Sequence, residues 1–85
     1  MKMNFLYILQ SKKDGKFYIG STSNINRRII AHNKGYSKYT KNKGPLERVY
    51  KEEYNTLSEA KEREYYLKSL KSKVAIQKLI QAAIV

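Results

Sequence analysis

The sequence predicts an α/β (α+β) fold: a three-stranded antiparallel sheet flanked by helices, in the order ββαβαα. Three observations predict it. Two runs rich in aromatic and branched residues, 4–10 and 16–21, flank Lys12-Lys13-Asp14-Gly15, whose Asp-Gly pair is a strong hairpin signal. A stretch with helical start and stop residues follows, opened by Ser23 or Asn24 and closed by Gly35. A third strand-like run then leads directly into two more capped, helix-periodic stretches.

Each element has its own physical reason. Residues 4–10 read as a strand, and Lys-Phe-Tyr-Ile-Gly-Ser at 16–21 returns antiparallel to it. The first helix runs to about Lys34, and Gly35 to Pro45 is a loop crowded with Lys, Tyr and Asn. Leu46 to Tyr54, with Val49, Tyr50 and Tyr54, is the third strand. Thr56 and Glu59 have capping-box spacing and announce a second helix from about Leu57 to Leu70. Ser72 caps a last helix whose apolar residues are Val74, Ile76, Leu79 and Ile80. With no repeat or low-complexity tract, residues 1–85 are expected to form a single domain.

A chain of 85 residues builds a thin core, so a polar group on a core-facing stripe is a noticeable sacrifice of stability. The balance of 18 Lys+Arg against 7 Asp+Glu gives a net charge of +11. Such an excess calls for a polyanionic partner, with nucleic acid ahead of a ribosome or an acidic membrane. The absence of cysteine excludes disulfides and thiolate zinc sites and suits a reducing compartment. The apolar run Phe5 to Leu9 is too short to span a bilayer, and it lacks the features of a secretory signal. A cytoplasmic protein with no membrane partner is therefore expected.

Helical periodicity brings particular side chains forward. On the first helix Arg28 and His32 are an i, i+4 pair within about 60° of Ile25, at the edge of the apolar stripe, whereas Arg27 turns to solvent. A lone histidine there also suits a buried imidazole satisfied by a carbonyl. On the second helix Glu64 falls inside the arc of Leu57, Ala60 and Leu67, while Glu59 and Glu62 fall outside it. A carboxylate so placed needs a partner, either a cation such as Arg28 or a metal ion. Tyr7 and Tyr18 lie on neighbouring strands, where tyrosines commonly serve packing. Gly20, two residues after Tyr18, leaves room for a phosphate beside their hydroxyls. From Asn33 to Gly44, Lys34, Lys38, Lys41 and Lys43 are interleaved with Tyr36 and Tyr39, a pattern suited to phosphates and unpaired bases.

This constellation resembles the GIY-YIG nuclease family, in particular its small single-domain bacterial branch. Tyr18-Ile19-Gly20 reproduces the second motif. Phe5-Leu6-Tyr7 stands in place of the first and keeps only its tyrosine. Ten residues separate the two tyrosines, and Arg28 follows Gly20 by eight. The resemblance implies that Tyr7, Tyr18, Arg28, His32 and Glu64 are catalytic, that Glu64 holds Mg²⁺ or Mn²⁺, and that Gly20 shapes the site. It further implies phosphodiester hydrolysis of DNA, ahead of RNA, on structured or damaged substrates; the charge and aromatic pattern of the loop adds Lys34, Lys38, Tyr39, Lys41 and Lys43 as contacts to the nucleic acid. The alternatives are a non-catalytic nucleic-acid-binding module on the same scaffold and a basic ribosome-associated protein.

Overall fold

The computed structural model describes residues 3–35, 41 and 43–84. Its elements are β1 (Asn4–Ser11), β2 (Phe17–Thr22), α1 (Ile25–Asn33), β3 (Leu46–Tyr54), α2 (Leu57–Ser69) and α3 (Lys73–Ile84). The order is ββαβαα, as the sequence predicts, and the bounds move by a residue or so. β1 is the middle strand of an antiparallel sheet ordered β2-β1-β3. That position explains its unbroken apolar run. Leu6, Tyr7, Ile8 and Leu9 are all at most 2% exposed, because helices cover both faces.

The two faces carry separate halves of the core. Leu6, Ile8 and Ile19 pack with Leu67 of α2 and Ile76 of α3. Tyr7, Leu9 and Tyr18 pack on the other side with Leu46 and with Ile25 and Ile29 of α1. Full burial of a leucine or isoleucine is worth about 1.5–3 kcal/mol, so β1 supplies a large share of the stability of so small a protein.

Local chemistry sets the element ends. Gly15 adopts φ +74° in the hairpin, where the side chain of Ser11 accepts hydrogen bonds from the Lys13 and Asp14 amides. Asn24, not Ser23, is the N-cap of α1, accepting from the Arg27 amide. The Thr56–Glu59 capping box of α2 is formed in both directions. Ser72 accepts from the Ala75 amide at the start of α3. Asn33, at the end of α1, bridges the Leu46 amide at 2.8 Å and the Leu46 carbonyl at 3.1 Å. The side chain imitates a strand partner and ties α1 to the first residue of β3.

One polar cluster fastens α2 to the sheet. The Glu52 carboxylate accepts from Tyr50 and Tyr54 on its own strand and from the Arg63 guanidinium on α2. The pairing joins two consecutive elements, β3 and α2, and nothing in the local pattern announces it.

Candidate active site

β2 is an edge strand, and α1 and α2 lie against opposite faces of the sheet beside it. A cleft of about 480 Å³ opens at this edge, where Gly20 presents no side chain. Tyr7, Arg28, His32 and Glu64 line it, so four of the five residues put forward as catalytic meet there. Tyr7 comes from the middle strand, Arg28 and His32 from α1, and Glu64 from α2.

Tyr7 reaches the cleft because of Gly20, its cross-strand partner. Its hydroxyl shares a 2.8 Å hydrogen bond with His32 Nε2, and the rings meet edge to face with centroids 5.9 Å apart. Both groups are pushed toward their neutral forms. Burial raises the Tyr7 pKa above its usual value, against the opposing hydrogen bond and charge of Arg28. Burial also lowers the His32 pKa, helped by the neighbouring Arg28 charge. His32 itself is only 4% exposed, whereas Arg28 is exposed and lines the cleft.

Glu64 is partly buried, and the cation that meets it is Lys68 rather than Arg28. Lys68 Nζ lies 2.7 Å from Oε2, while the Ser21 hydroxyl donates to Oε1 at 2.6 Å. The carboxylate is thus fixed in direction by one neutral donor on β2 and balanced by one ammonium on its own helix. Among the described residues no group of three or more His, Cys, Asp or Glu could hold a metal ion. A site here would offer one carboxylate, which suits a hard cation that keeps several waters and takes further oxygens from a phosphate.

Tyr18 lies elsewhere. It is 7% exposed in the core beneath α1, beside Tyr7, Leu9 and Leu46, and does not line the cleft. Alternation puts it on the same face as Tyr7, but one step further along the sheet, under the helix. Of the loop residues, Lys34 and Lys41 are exposed, and the Lys43 carbonyl accepts from the Ser11 hydroxyl. Lys38 and Tyr39 lie outside the described residues. The sequence reading passed over Ser21, Lys61, Tyr65 and Lys68, which also line the cleft. Lys61, Tyr65 and Lys68 share the Glu64 side of α2, and extending the same wheel to polar positions finds them.

A family model for the GIY-YIG catalytic domain matches residues 3–79. A UPF0213 protein of Clostridium perfringens is 48% identical over 69 residues, spanning 80% of this chain and 73% of that protein. One from Staphylococcus epidermidis is 46% identical over 70 residues, spanning 81% and 84%. The solution NMR structure of a UPF0213 protein from Bacillus halodurans superimposes with a TM-score of 0.60 at 34% identity, covering 94% of this chain and 84% of that one.

Proposed function

The chain belongs to the GIY-YIG family, and from this we propose that it is a metal-dependent endonuclease hydrolysing phosphodiester bonds in DNA. The observation that carries the reading is the convergence of Tyr7, Arg28, His32 and Glu64 on one cleft of a strongly basic protein. A purely structural fold gains nothing by gathering a phenol, an imidazole, a guanidinium and a carboxylate at an open edge.

Each side chain then has a distinct task. The planar fork of Arg28 grips the non-bridging oxygens of the scissile phosphate. Glu64, aimed by Ser21, would hold Mg²⁺ or Mn²⁺. When bound, the cation polarises the phosphate and stabilises the departing oxygen. Tyr7 is protonated at neutral pH, so by itself it is a poor base. Its hydrogen bond to a neutral His32 supplies a relay: a water proton passes to the Tyr7 oxygen as the phenol proton passes to Nε2. The water oxygen bonds to phosphorus, one ester P–O bond breaks, and solvent protonates the oxygen released. Tyr18 supports Tyr7 from the core as a positioning residue. A general base contributes about 10²–10⁴-fold of the 10⁶–10¹⁷-fold typical of enzymes, so all of these parts are needed together.

The ion pair between Lys68 and Glu64 favours the rival reading, a binding module, because it neutralises the carboxylate within the chain. Cleavage of a panel of single-stranded, duplex, flapped and branched DNA, with Mg²⁺, Mn²⁺ or chelator, separates the two. Metal-dependent nicking by the wild type but not by Glu64→Gln is the expected result. Binding without cleavage under every metal condition would select the module.

A further inference from the structure

Tyr65 is 79% exposed, yet it stands on the wall of the cleft beside Glu64. Such exposure gives it no packing role, and it makes no hydrogen bond or ring contact among the described residues. Its neighbour Tyr66 differs. That ring has the Arg63 guanidinium over it at 5.5 Å and does not line the cleft. Two lysines flank Tyr65 on the same side of α2, because positions 61, 65 and 68 fall within about 60° of one another on a helix. Lys61 and Lys68 both line the cleft.

We propose that this face of α2 is a stacking wall for an unpaired nucleotide, with Tyr65 as the platform and Lys61 and Lys68 meeting the adjoining phosphates. An aromatic ring on which a base can stack, beside cations that meet the backbone, is the combination that sequence-tolerant binding to single strands uses. The flat ring supplies a π-face to any base, and the phenol gives up little side-chain freedom on contact. A base pair inside a duplex cannot use that face, since both of its own faces are covered by its neighbours. A duplex lying across the cleft would therefore meet the lysines and pass the ring by. The wall thus selects substrates in which the nucleotide beside the scissile phosphate is splayed out or single-stranded. Its location relative to that phosphate rests on the nuclease reading, but the stacking itself is a property of binding and is measured without cleavage.

The test uses the full chain, in chelator, with a short oligodeoxynucleotide carrying one 2-aminopurine, free or annealed into a blunt duplex. Quenching of the 2-aminopurine by the wild type, stronger for the free strand, is expected. Tyr65→Ala should weaken single-strand binding roughly 5- to 150-fold, the range for loss of one base–aromatic stack, and change duplex binding by no more than about twofold. Tyr65→Phe should bind as the wild type does, and Tyr65→Leu should behave like Tyr65→Ala, since leucine keeps apolar area without a π-face. Lys61→Ala should weaken both forms alike. The proposal is overturned if Tyr65→Ala weakens both forms equally or neither, or if leucine substitutes fully for tyrosine. Absence of cleavage in the wild type would overturn the nuclease reading while leaving these binding differences intact.

Discussion

The phenol of Tyr7 lies across the α-carbon of Gly20, so that a methyl group at position 20 would sit 2.3 Å from the Tyr7 hydroxyl oxygen and 2.5 Å from the carbon bearing it. The glycine is there for its partner strand rather than for its own backbone freedom. It lets a middle-strand side chain cross the edge strand and reach the cleft. Gly20→Ala must displace the ring, because the clash is with the reactive end of the side chain. We expect the variant to fold, with about 1–3 kcal/mol lost to overpacking. Cleavage should fall about 10²-fold or more, as for loss of a positioned proton acceptor. Thermal melts paired with nicking rates check both parts. Full activity in Gly20→Ala would show that the position of the Tyr7 hydroxyl is unimportant.

His32 sets the acid limit of activity. Burial and the Arg28 charge lower its pKa below the usual 6.5, so the imidazole is neutral at pH 7 and remains so somewhat below pH 6.5. The unfolded chain takes up this proton first as the pH falls. Neutral burial of His32 therefore contributes stability in full above pH 6.5, and that contribution is lost as pH drops through the window toward the folded pKa. The acid limb of kcat/KM should lie below pH 6.5. The chain has a single histidine, so an NMR titration of its ring reports this group alone. A folded-state midpoint above 6.5 would contradict the relay through a neutral imidazole.

Glu52 makes a separate prediction about stability. Burial would raise its pKa, but hydrogen bonds from Tyr50, Tyr54 and Arg63 outweigh burial and hold the carboxyl below the usual 4.5. Its partner Tyr50 is pushed up to about 12, by burial first and then by this carboxylate. A depressed folded pKa means that the stabilisation is present above pH 4.5 and is lost as pH falls through the folded value. Glu52→Gln should cost about 1–3 kcal/mol at neutral pH, since three donors lose a charged acceptor. It should also flatten the acid side of the melting-temperature profile. An unchanged profile would mean that the cluster contributes nothing to holding α2 on the sheet.

Local rules carried the order of elements, because caps, turns and periodicity are written in neighbouring residues: Asp14-Gly15, Asn24, Thr56 with Glu59, and Ser72. The same rules singled out Arg28, His32 and Glu64, since a helix repeats every 3.6 residues and a polar side chain at the edge of an apolar stripe stands out. What they could not supply was contact across the fold. Ser21 bonds to Glu64 across 43 residues of chain. Glu52 meets Arg63 only once β3 and α2 have docked. Tyr18 shows the limit most plainly. Tyr7 and Tyr18 share one face of the sheet, so alternation cannot say which lies under α1 and which emerges beside it; that depends on where the helix docks.

The two adjacent arginines should separate binding from chemistry. Arg28 lines the cleft with Glu64 and also a groove along α1 with Arg27 and Lys34, whereas Arg27 lines that groove and not the cleft. Arg28→Ala should abolish cleavage while most nucleic-acid affinity survives, and Arg28→Lys should restore little, because an ammonium lacks the fork that grips two phosphate oxygens. Arg27→Ala should weaken binding modestly and flatten the log–log salt slope by about one if it meets one phosphate. Equal effects of the two alanine variants on the cleavage step would place the reacting phosphate outside the cleft.

Glu64 decides between enzyme and binding module, and Lys68 makes the decision measurable. The ammonium sits 2.7 Å from Oε2 with 44% of the lysine side chain exposed. An i, i+4 pair with so exposed a lysine is worth about 0–1 kcal/mol, so losing the pair costs little stability. Glu64→Gln keeps an oxygen for the Ser21 hydroxyl and should melt near the wild-type temperature. It loses the charge that holds a hard cation, and should neither bind Mn²⁺ nor cleave. Lys68→Ala acts in the opposite sense on the metal: with its internal competitor gone, the carboxylate should bind Mn²⁺ more tightly than in the wild type. Titration of Mn²⁺ by electron paramagnetic resonance, without nucleic acid, reads all three proteins on one scale. The expected order is Lys68→Ala above wild type above Glu64→Gln. If instead Lys68→Ala binds no more metal than the wild type and Glu64→Gln mainly unfolds, the carboxylate is a structural partner of Lys68, and the cleft holds nucleic acid without cutting it.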